Sequence, residues 1–333
     1  MKAKNPRVTA VVLNWNGRRL LEKSLPALAR QSYKPLEVLL VDNASDDDSL
    51  AYVKKNFPQT KIIRNPSNLG FAAGMNVGLR AAAGKYVISV TNDVALEPKV
   101  IAEMVKAAEA DSRVGMAVPL LVRASEPGVI DAAGVSVDKS GYGANVGGGE
   151  ENRGQFGKKP VEIFGGYGGA TLYRRQMLDE IGYFEEAFGA YLEDIDLAWR
   201  ARAAGYKCML VPQVRAFHAG SVSYGKTSYA ATYLGHRNRL LFALSQFPLK
   251  LLLPMLGYFA LFELPMCVWW LATANIARVK ARIDAFLMLA WILSRRGRMA
   301  RQRKVPVGEL SKWLLPAYGV RAVKGKFFKQ KVS

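Results

Sequence analysis

The stretch Val8-Thr9-Ala10-Val11-Val12-Leu13-Asn14 decides the fold: an apolar, β-branched run that ends in the polar cluster Asn14-Trp15-Asn16-Gly17. A different pattern comes directly after it. In Arg18–Gln31, Leu20, Leu21, Leu25 and Leu28 recur at helical spacing. The alternation then repeats. Strands are expected at Glu37–Asp42, Lys61–Arg64, Tyr86–Thr91 and Gly115–Pro119, with helices at Ser49–Asn56, Ala72–Ala83 and Pro98–Ala110. Strands alternating with helices predict an α/β fold, a mostly parallel central sheet flanked by helices on both faces. Ligands of such sheets gather beyond the carboxyl ends of the strands. Here those ends read Asn14–Gly17, Asp42–Asp46 and Thr91-Asn92-Asp93, all polar or acidic.

Beyond this unit, residues 124–169 are rich in glycine and read as irregular or hairpin structure, a loop over a site. Helix signals return at Arg174–Gly182, Phe184–Tyr191 and Glu193–Ala204, and a strand at Cys208–Val211 leads to Phe217-His218. Near Lys226 the composition changes to long apolar runs broken by proline and punctuated by arginine and lysine. A boundary there gives an α/β unit over 1–225 and a basic, apolar helical region over 226–333.

Charge divides at the same place. The chain of 333 residues carries 47 Lys+Arg against 27 Asp+Glu, a net +20, yet residues 1–225 account for only +4 of it and residues 226–333 for +16. A diffuse basic coat for nucleic acid is therefore not the pattern. The two cysteines, Cys208 and Cys267, lack metal-ligand spacing and suit a reducing compartment. The apolar run Val8–Leu13 is too short for the core of a signal peptide.

Several polar residues have a chemical and a purely structural reading. Asp42 at a strand end can accept hydrogen bonds from a nucleobase imide or a ribose hydroxyl, or form an ordinary Asx turn. The small residues Gly70, Ala72, Ala73 and Gly74 would let a diphosphate approach a helix N-terminus, or let that helix pack tightly on the sheet. Glu193, Asp194 and Asp196 fall in a first helical turn, where the helix dipole favours carboxylates. Asp196 stands four residues before Arg200, the spacing of a structural ion pair.

Four stretches taken in order carry a resemblance: Val11–Gly17, Val41–Asp46, Asn68–Gly78 and Tyr191–Arg200. Together they resemble the family-2 glycosyltransferases of GT-A fold, and most closely their rhamnosyltransferase-like branch, over about residues 7–225. The resemblance implies a nucleotide-sugar donor bound by Asn14, Asn16, Asp42, Asn68, Gly70, Asn76 and Asn92. It places Thr91-Asn92-Asp93 at the family's Asp-x-Asp motif, which holds a divalent cation, Mg²⁺ or Mn²⁺, against the donor diphosphate. Thr91 stands where the first aspartate would be, so Asp93 and His218 are the implied metal ligands. Asp194 is implied as the general base of an inverting transfer and Glu193 as its partner. Gly166 and Gly169 fall in the small-residue stretch bordering the acceptor, and Arg237 is a candidate for the pyrophosphate.

The tail suggests an address. Leu251–Ala274 has one charge, Glu263, and is long enough to span a bilayer, but Pro254, Pro265 and Glu263 make it a poor simple span. A single crossing would also export a segment with 15 basic and 2 acidic residues, against the positive-inside rule. A monotopic or re-entrant element on the cytoplasmic face of the inner membrane fits better, beside the alternatives of one transmembrane helix or a soluble helical subdomain. Arg278-Lys280-Arg282, Arg295-Arg296-Arg298 and Arg301-Arg303-Lys304 would face an anionic membrane surface, with Trp269, Trp270 and Trp291 at the interface. The expected reaction is transfer of a sugar, rhamnose by the branch resemblance, to a lipid-linked saccharide acceptor. The rival readings are a nucleotidyltransferase and, from charge alone, a nucleic-acid-binding protein.

Overall fold

The computed structural model describes residues 5–220 and 228–317. The chain opens with β1 (Val8–Asn14), α1 (Arg18–Ala29), β2 (Leu36–Asp42), α2 (Ser49–Asn56), β3 (Lys61–Arg64), α3 (Gly70–Ala81) and β4 (Tyr86–Thr91). Alternation along β1 shows why this half is α/β. Val8, Ala10 and Val12 pack with Leu21, Leu25 and Leu28 of α1 on one face of the sheet. Val11 and Leu13 pack with Met75 and Leu79 of α3 on the other. Each face thus takes every second side chain, and the whole strand is buried. Glycine sets the spacing of α3: a Cβ on Gly78 would lie 2.2 Å from Val11 Cγ1 and 2.7 Å from Val41 Cγ2.

Next come β5 (Val94–Leu96), α4 (Val100–Glu109), β6 (Val114–Arg123), β7 (Ile130–Ala132), β8 (Val135–Asp138), β9 (Gly143–Asn145), β10 (Val161–Ile163), β11 (Ala170–Arg174), α5 (Arg175–Ile181), α6 (Glu193–Ala203) and β12 (Lys207–His218). The main sheet runs β10-β12-β6-β11-β4-β1-β2-β3. Its β4-β1-β2-β3 half is parallel, but β11 enters antiparallel to both β4 and β6. With β12 parallel to β6, and β6 running in the direction of β4, the sheet is mostly parallel as expected, β11 and β10 being the reversed strands of this order. The glycine-rich stretch holds the short strands β7–β10. Phe184–Tyr191 is not a helix but a loop around one 3₁₀ turn, Glu186–Phe188, because Gly189, Tyr191 and Leu192 all take positive φ.

The boundary expected near Lys226 lies outside the described residues. The C-terminal region consists of α7 (Tyr229–Gln246), α8 (Leu249–Tyr258), a π-helical turn (Phe259–Glu263), α9 (Leu264–Ala272), α10 (Ile276–Leu287), α11 (Leu289–Gln302), α12 (Val307–Ser311) and β13 (Leu314–Leu315), the last paired with β8. These helices share the core of the preceding unit. Phe242 and Phe247 pack on Trp199 of α6, and Leu240, Leu241 and Ala243 join the same buried cluster. Residues Leu249–Ala272 make one continuous helix, long and apolar enough by length and composition to cross a membrane, with only 11% of its most apolar window buried.

Two expectations for this region are corrected. Glu263 is not an exposed obstacle: its carboxylate is buried between Arg239 (2.9 Å) and Arg282 (2.6 Å) and accepts from the Tyr142 hydroxyl. Consequently Arg282 faces the protein rather than headgroups, as does Arg295, and Trp270 is buried while Trp269 is exposed.

Candidate active site

The carboxyl ends of β1, β2 and β4 converge, as open α/β sheets require. Asn14 is buried there; its Nδ2 donates to Ser45 Oγ (3.2 Å) and Asp42 Oδ1, and its Oδ1 accepts from Asn92 Nδ2 (2.8 Å). Asn16 takes φ 47°, and its side chain accepts from the Asp46 N–H. Asp42 is fully buried and accepts from the Ser45 N–H, with Arg64 Nε at 3.5 Å. These groups brace one another around the strand ends.

Beside them opens a cavity of about 470 Å³, bordered by Asn43, Asn68, Gly70, Asn92, Asp93, Tyr167, Gly168, Gly169, Glu193, Asp194 and His218 among others. Asn14, Asn16 and Asp42 do not border it. The residue facing it from the end of β2 is Asn43, which sequence reasoning passed over. Its amide donates to Asn68 Oδ1 and the Gly70 carbonyl and accepts from the Leu69 N–H, so it shapes the start of α3. Asn76 is also misplaced by the sequence reading. It is fully buried one turn further along α3, exchanging hydrogen bonds with the Phe184 backbone and donating to Glu186. Gly166 is a packing position, since a Cβ there would meet Thr171 Oγ1 at 2.4 Å, whereas Gly169 borders the cavity. Arg237 donates to the Ala187 and Phe188 carbonyls.

Asp93 and His218 do come together, with His218 Nε2 3.1 Å from Asp93 Oδ2. A residue missed in the sequence completes the arrangement: Asp131, on β7, lies 2.7 Å from His218 Nδ1. Burial opposes charge on the imidazole, but the two carboxylates outweigh it and hold its pKa up at about 9. Asp93 Oδ1 is buried with no hydrogen-bond partner, as are Thr91 Oγ1 and Glu193 Oε2 on the same cavity. Among the described residues, no cluster of three or more His, Cys, Asp or Glu side chains is disposed to hold a metal ion.

On the same cavity, α6 begins with the acid pair. Asp194 Oδ1 accepts from the Ile195 N–H (2.8 Å) and Oδ2 from the Gly168 N–H (3.2 Å). Burial raises the pKa of Asp194, opposed by those backbone donors. Glu193 is raised well above the ordinary range by burial and by the charge of Asp194. The two N–H donors favour charge on Asp194 over Glu193 within the pair. Burial and the carboxylates of Asp93, Asp131, Asp194 and Glu193 also push the Tyr167 hydroxyl up strongly. Carboxyl groups outnumber cationic ones on the cavity wall, which suits a cation and a base.

Asp196 plays no part in it. Its carboxylate is fully buried in an ion pair with Arg200 (2.9 Å), as the four-residue spacing predicts, and with Arg295 of α11 (2.7 Å).

The family model for glycosyl transferase family 2 matches residues 9–182, more than half of the chain. An N-acetylglucosaminyl-diphospho-decaprenol L-rhamnosyltransferase of Mycobacterium tuberculosis (strain H37Rv) is 26% identical over 245 residues, 67% of this chain and 79% of that protein. An uncharacterized glycosyltransferase of Bacillus subtilis, YwdF, is 26% identical over 65% of this chain and 75% of its own. Among solved structures, the mannosyltransferase PcManGT from Pyrobaculum calidifontis, in complex with GDP-Man and Mn²⁺, shares the fold with a TM-score of 0.53 and 22% identity, covering 98% of this chain and 89% of that one. GalNAc-T7 with UDP, GalNAc and Mn²⁺ superposes at a TM-score of 0.61 and 16% identity, over 74% of this chain and 49% of its own. The order of motifs, the mixed GT-A sheet and the family match agree: the chain belongs to glycosyl transferase family 2 and is a glycosyltransferase.

Proposed function

We propose that this glycosyltransferase moves rhamnose from a nucleoside diphosphate donor, dTDP- or UDP-activated, to a lipid-linked saccharide with inversion at the anomeric carbon. The observation that carries this reading is the carboxyl-lined cavity, where the carboxylate of Asp194 faces the same space as Asp93 and His218. The relative from M. tuberculosis, named for rhamnosyl transfer to a diphospho-decaprenol acceptor, supports the choice of sugar and acceptor.

Asp194 takes the proton from the acceptor hydroxyl as that oxygen attacks the anomeric carbon, a contribution of about 10²–10⁴-fold. The nucleoside diphosphate leaves from the opposite face. Asp93, through its free Oδ1, and His218, through Nε2 once deprotonated, would hold a Mg²⁺ or Mn²⁺ ion, with donor oxygens and water filling the remaining positions. Such an ion, when bound, neutralises charge that builds on the leaving diphosphate. Asp131 fixes the His218 ring from its other nitrogen. Asn43, Asn68, Gly70 and Asn92 line the donor side, and Gly169 leaves room on the acceptor side.

The acceptor reading agrees with the C-terminal surface. On the continuous helix, Met255, Glu263 and Trp270 face the protein, while Leu253, Leu261, Leu264, Val268, Trp269 and Leu271 are exposed. Ile276, Ile283, Phe286 and Leu287 of α10 and Leu289 and Leu293 of α11 add to this apolar surface. A helix bound to the protein along one face and apolar on the other suits in-plane seating on a bilayer. We place it on the cytoplasmic face of the inner membrane, where nucleotide sugars are made and anionic lipids attract the basic tail.

The test is a screen of nucleotide sugars with Mg²⁺, Mn²⁺ or chelator, using membranes as acceptor source. The proposal expects cation-dependent rhamnose transfer and release of a nucleoside diphosphate. Release of pyrophosphate would favour nucleotidyl transfer, and transfer insensitive to chelation would remove the metal from the scheme.

A further inference from the structure

The acid pair stands on unusual backbone. Tyr191 and Leu192, the two residues before Glu193, take φ values of 69° and 67°, a conformation that side-chain-bearing residues adopt infrequently and here adopt twice in succession. Ala190, Tyr191 and Leu192 line the cavity as they lead into α6. Within the turn the Ala190 N–H donates to the Phe188 carbonyl (2.8 Å), and the other restraints reach it from outside.

The restraint comes from α7. Asn238 is fully buried, and its Nδ2 donates to three carbonyls of the turn: Phe188 (2.8 Å), Ala190 (2.8 Å) and Tyr191 (2.9 Å). The orientation of that amide is itself set, because Arg237 Nε donates to Asn238 Oδ1 at 3.0 Å. Arg237 also reaches the Ala187 and Phe188 carbonyls through Nη2. From the other side, the Gly189 carbonyl accepts from the Ala72 N–H at the start of α3. Every carbonyl from Ala187 to Tyr191 is thereby engaged, three of them by one side chain.

We infer that Asn238 is a positioning residue for the Glu193–Asp194 pair, acting through the left-handed turn that its amide holds closed. Asp194 meets the Gly168 N–H only if α6 starts where this turn puts it. Arg237 and Asn238 belong to α7, so the basic C-terminal region supports the active site as well as presenting the apolar surface. The inference rests on Asp194 being the base.

The experiment compares Asn238→Ala, Arg237→Gln and Asp194→Asn in the full chain, with kcat, KM, donor affinity by calorimetry, and the pH dependence of kcat. Folded content of each is checked by circular dichroism. A displacement of the base by about 1 Å can lower turnover on the order of 10²-fold. Asn238→Ala is expected to lose at least about tenfold in kcat, with donor affinity held within about threefold. Its acid limb is also expected to move toward the ordinary carboxylate range, as Asp194 becomes more solvated. Arg237→Gln, which frees the amide without emptying its place, is expected to show the same split more weakly. If kcat and donor affinity fall together with folded content and the acid limb stays put, Asn238 is only structural and the inference fails. If Asn238→Ala does not fold, Arg237→Gln alone decides: an unchanged kcat and limb overturn the proposal. Full turnover in Asp194→Asn would instead refute the base assignment, which separates the two failures.

Discussion

Replacing Asp196 with asparagine tests how the C-terminal helices are tied to α6. The carboxylate has no exposure and lies between two buried guanidinium groups, Arg200 at 2.9 Å and Arg295 at 2.7 Å, with Gln246 donating to its other oxygen at 2.7 Å. Asparagine keeps the shape and removes the charge. Arg200 then retains carbonyls of Ile181, Gly182 and Tyr183, and Arg295 retains Glu185 and Ser245, but two buried cations share one partly exposed carboxylate. Breaking a buried pair from one side costs about 3–5 kcal/mol. For 333 residues at roughly 2.1 cal/mol/K each, the unfolding entropy is about 0.7 kcal/mol/K, so the melting temperature should fall by about 4–7 °C. The pH dependence gives a second signature. Burial opposes ionisation of Asp196, yet Arg295 and Arg200 prevail and hold its pKa at about 2, against 3.8 for a free aspartate. A depressed pKa stabilises the fold above the unfolded value, and that stabilisation disappears as pH falls from about 4 through 2. At about 1.4 kcal/mol per unit it amounts to roughly 2.5 kcal/mol. Calorimetric melts from pH 7 to pH 3 should therefore show a lower plateau and a flatter acid slope in the variant. A melting temperature within about 1 °C of the parent at pH 7, or identical acid slopes, would refute the reasoning.

Gly78→Ala should destabilise by about 1–3 kcal/mol in chemical denaturation, since its methyl would overlap Val11 and Val41 side chains where α3 meets the sheet. An unchanged midpoint would mean that α3 has room to withdraw. The acid limb of kcat should lie above the ordinary carboxylate range, because burial raises Asp194 and turnover falls as the base takes up a proton; a limb at or below that range contradicts the assignment. Changing Leu253, Leu261 and Leu264 together to serine should lower partitioning onto anionic liposomes at least about 10²-fold. These side chains are exposed, so the melting temperature should be unaffected; equal partitioning would move the membrane contact elsewhere.

The range of the forces involved separates the features legible in the sequence from those it hid. β1, β3, β4 and α2 fall where the local sequence pattern puts them, because each is specified by its own run of side chains. β12 runs from Lys207 to His218 rather than ending at Val211, because a register shift between Val211 and Arg215 hides its continuation from a period-two reading. The antiparallel entry of β11 depends on which neighbours remain free after the parallel half forms, and no local pattern encodes that. The site divides in the same way. Motif order singles out Asp93, His218, Glu193 and Asp194, and all four border one cavity. Asp131 is not among them, since its partner His218 is 87 residues away, although an acid isolated in the apolar run Val129–Ala133 was a usable signal. Asp42 and Asn76 have polar side chains at suggestive positions but spend them on bracing. Glu263 and Arg282 looked like a membrane obstacle and a headgroup contact until pairing at 2.6 Å turned both inward.

The central claim is that Asp194 is the base of sugar transfer. It is tested most directly by measuring rhamnosyl transfer and donor binding side by side in Asp194→Asn. The neutral amide preserves shape and can still accept from the Gly168 N–H. Transfer should fall by about 10²–10⁴-fold while donor affinity stays within about threefold of the parent. Turnover near the parental rate in a folded, donor-binding variant would contradict the account.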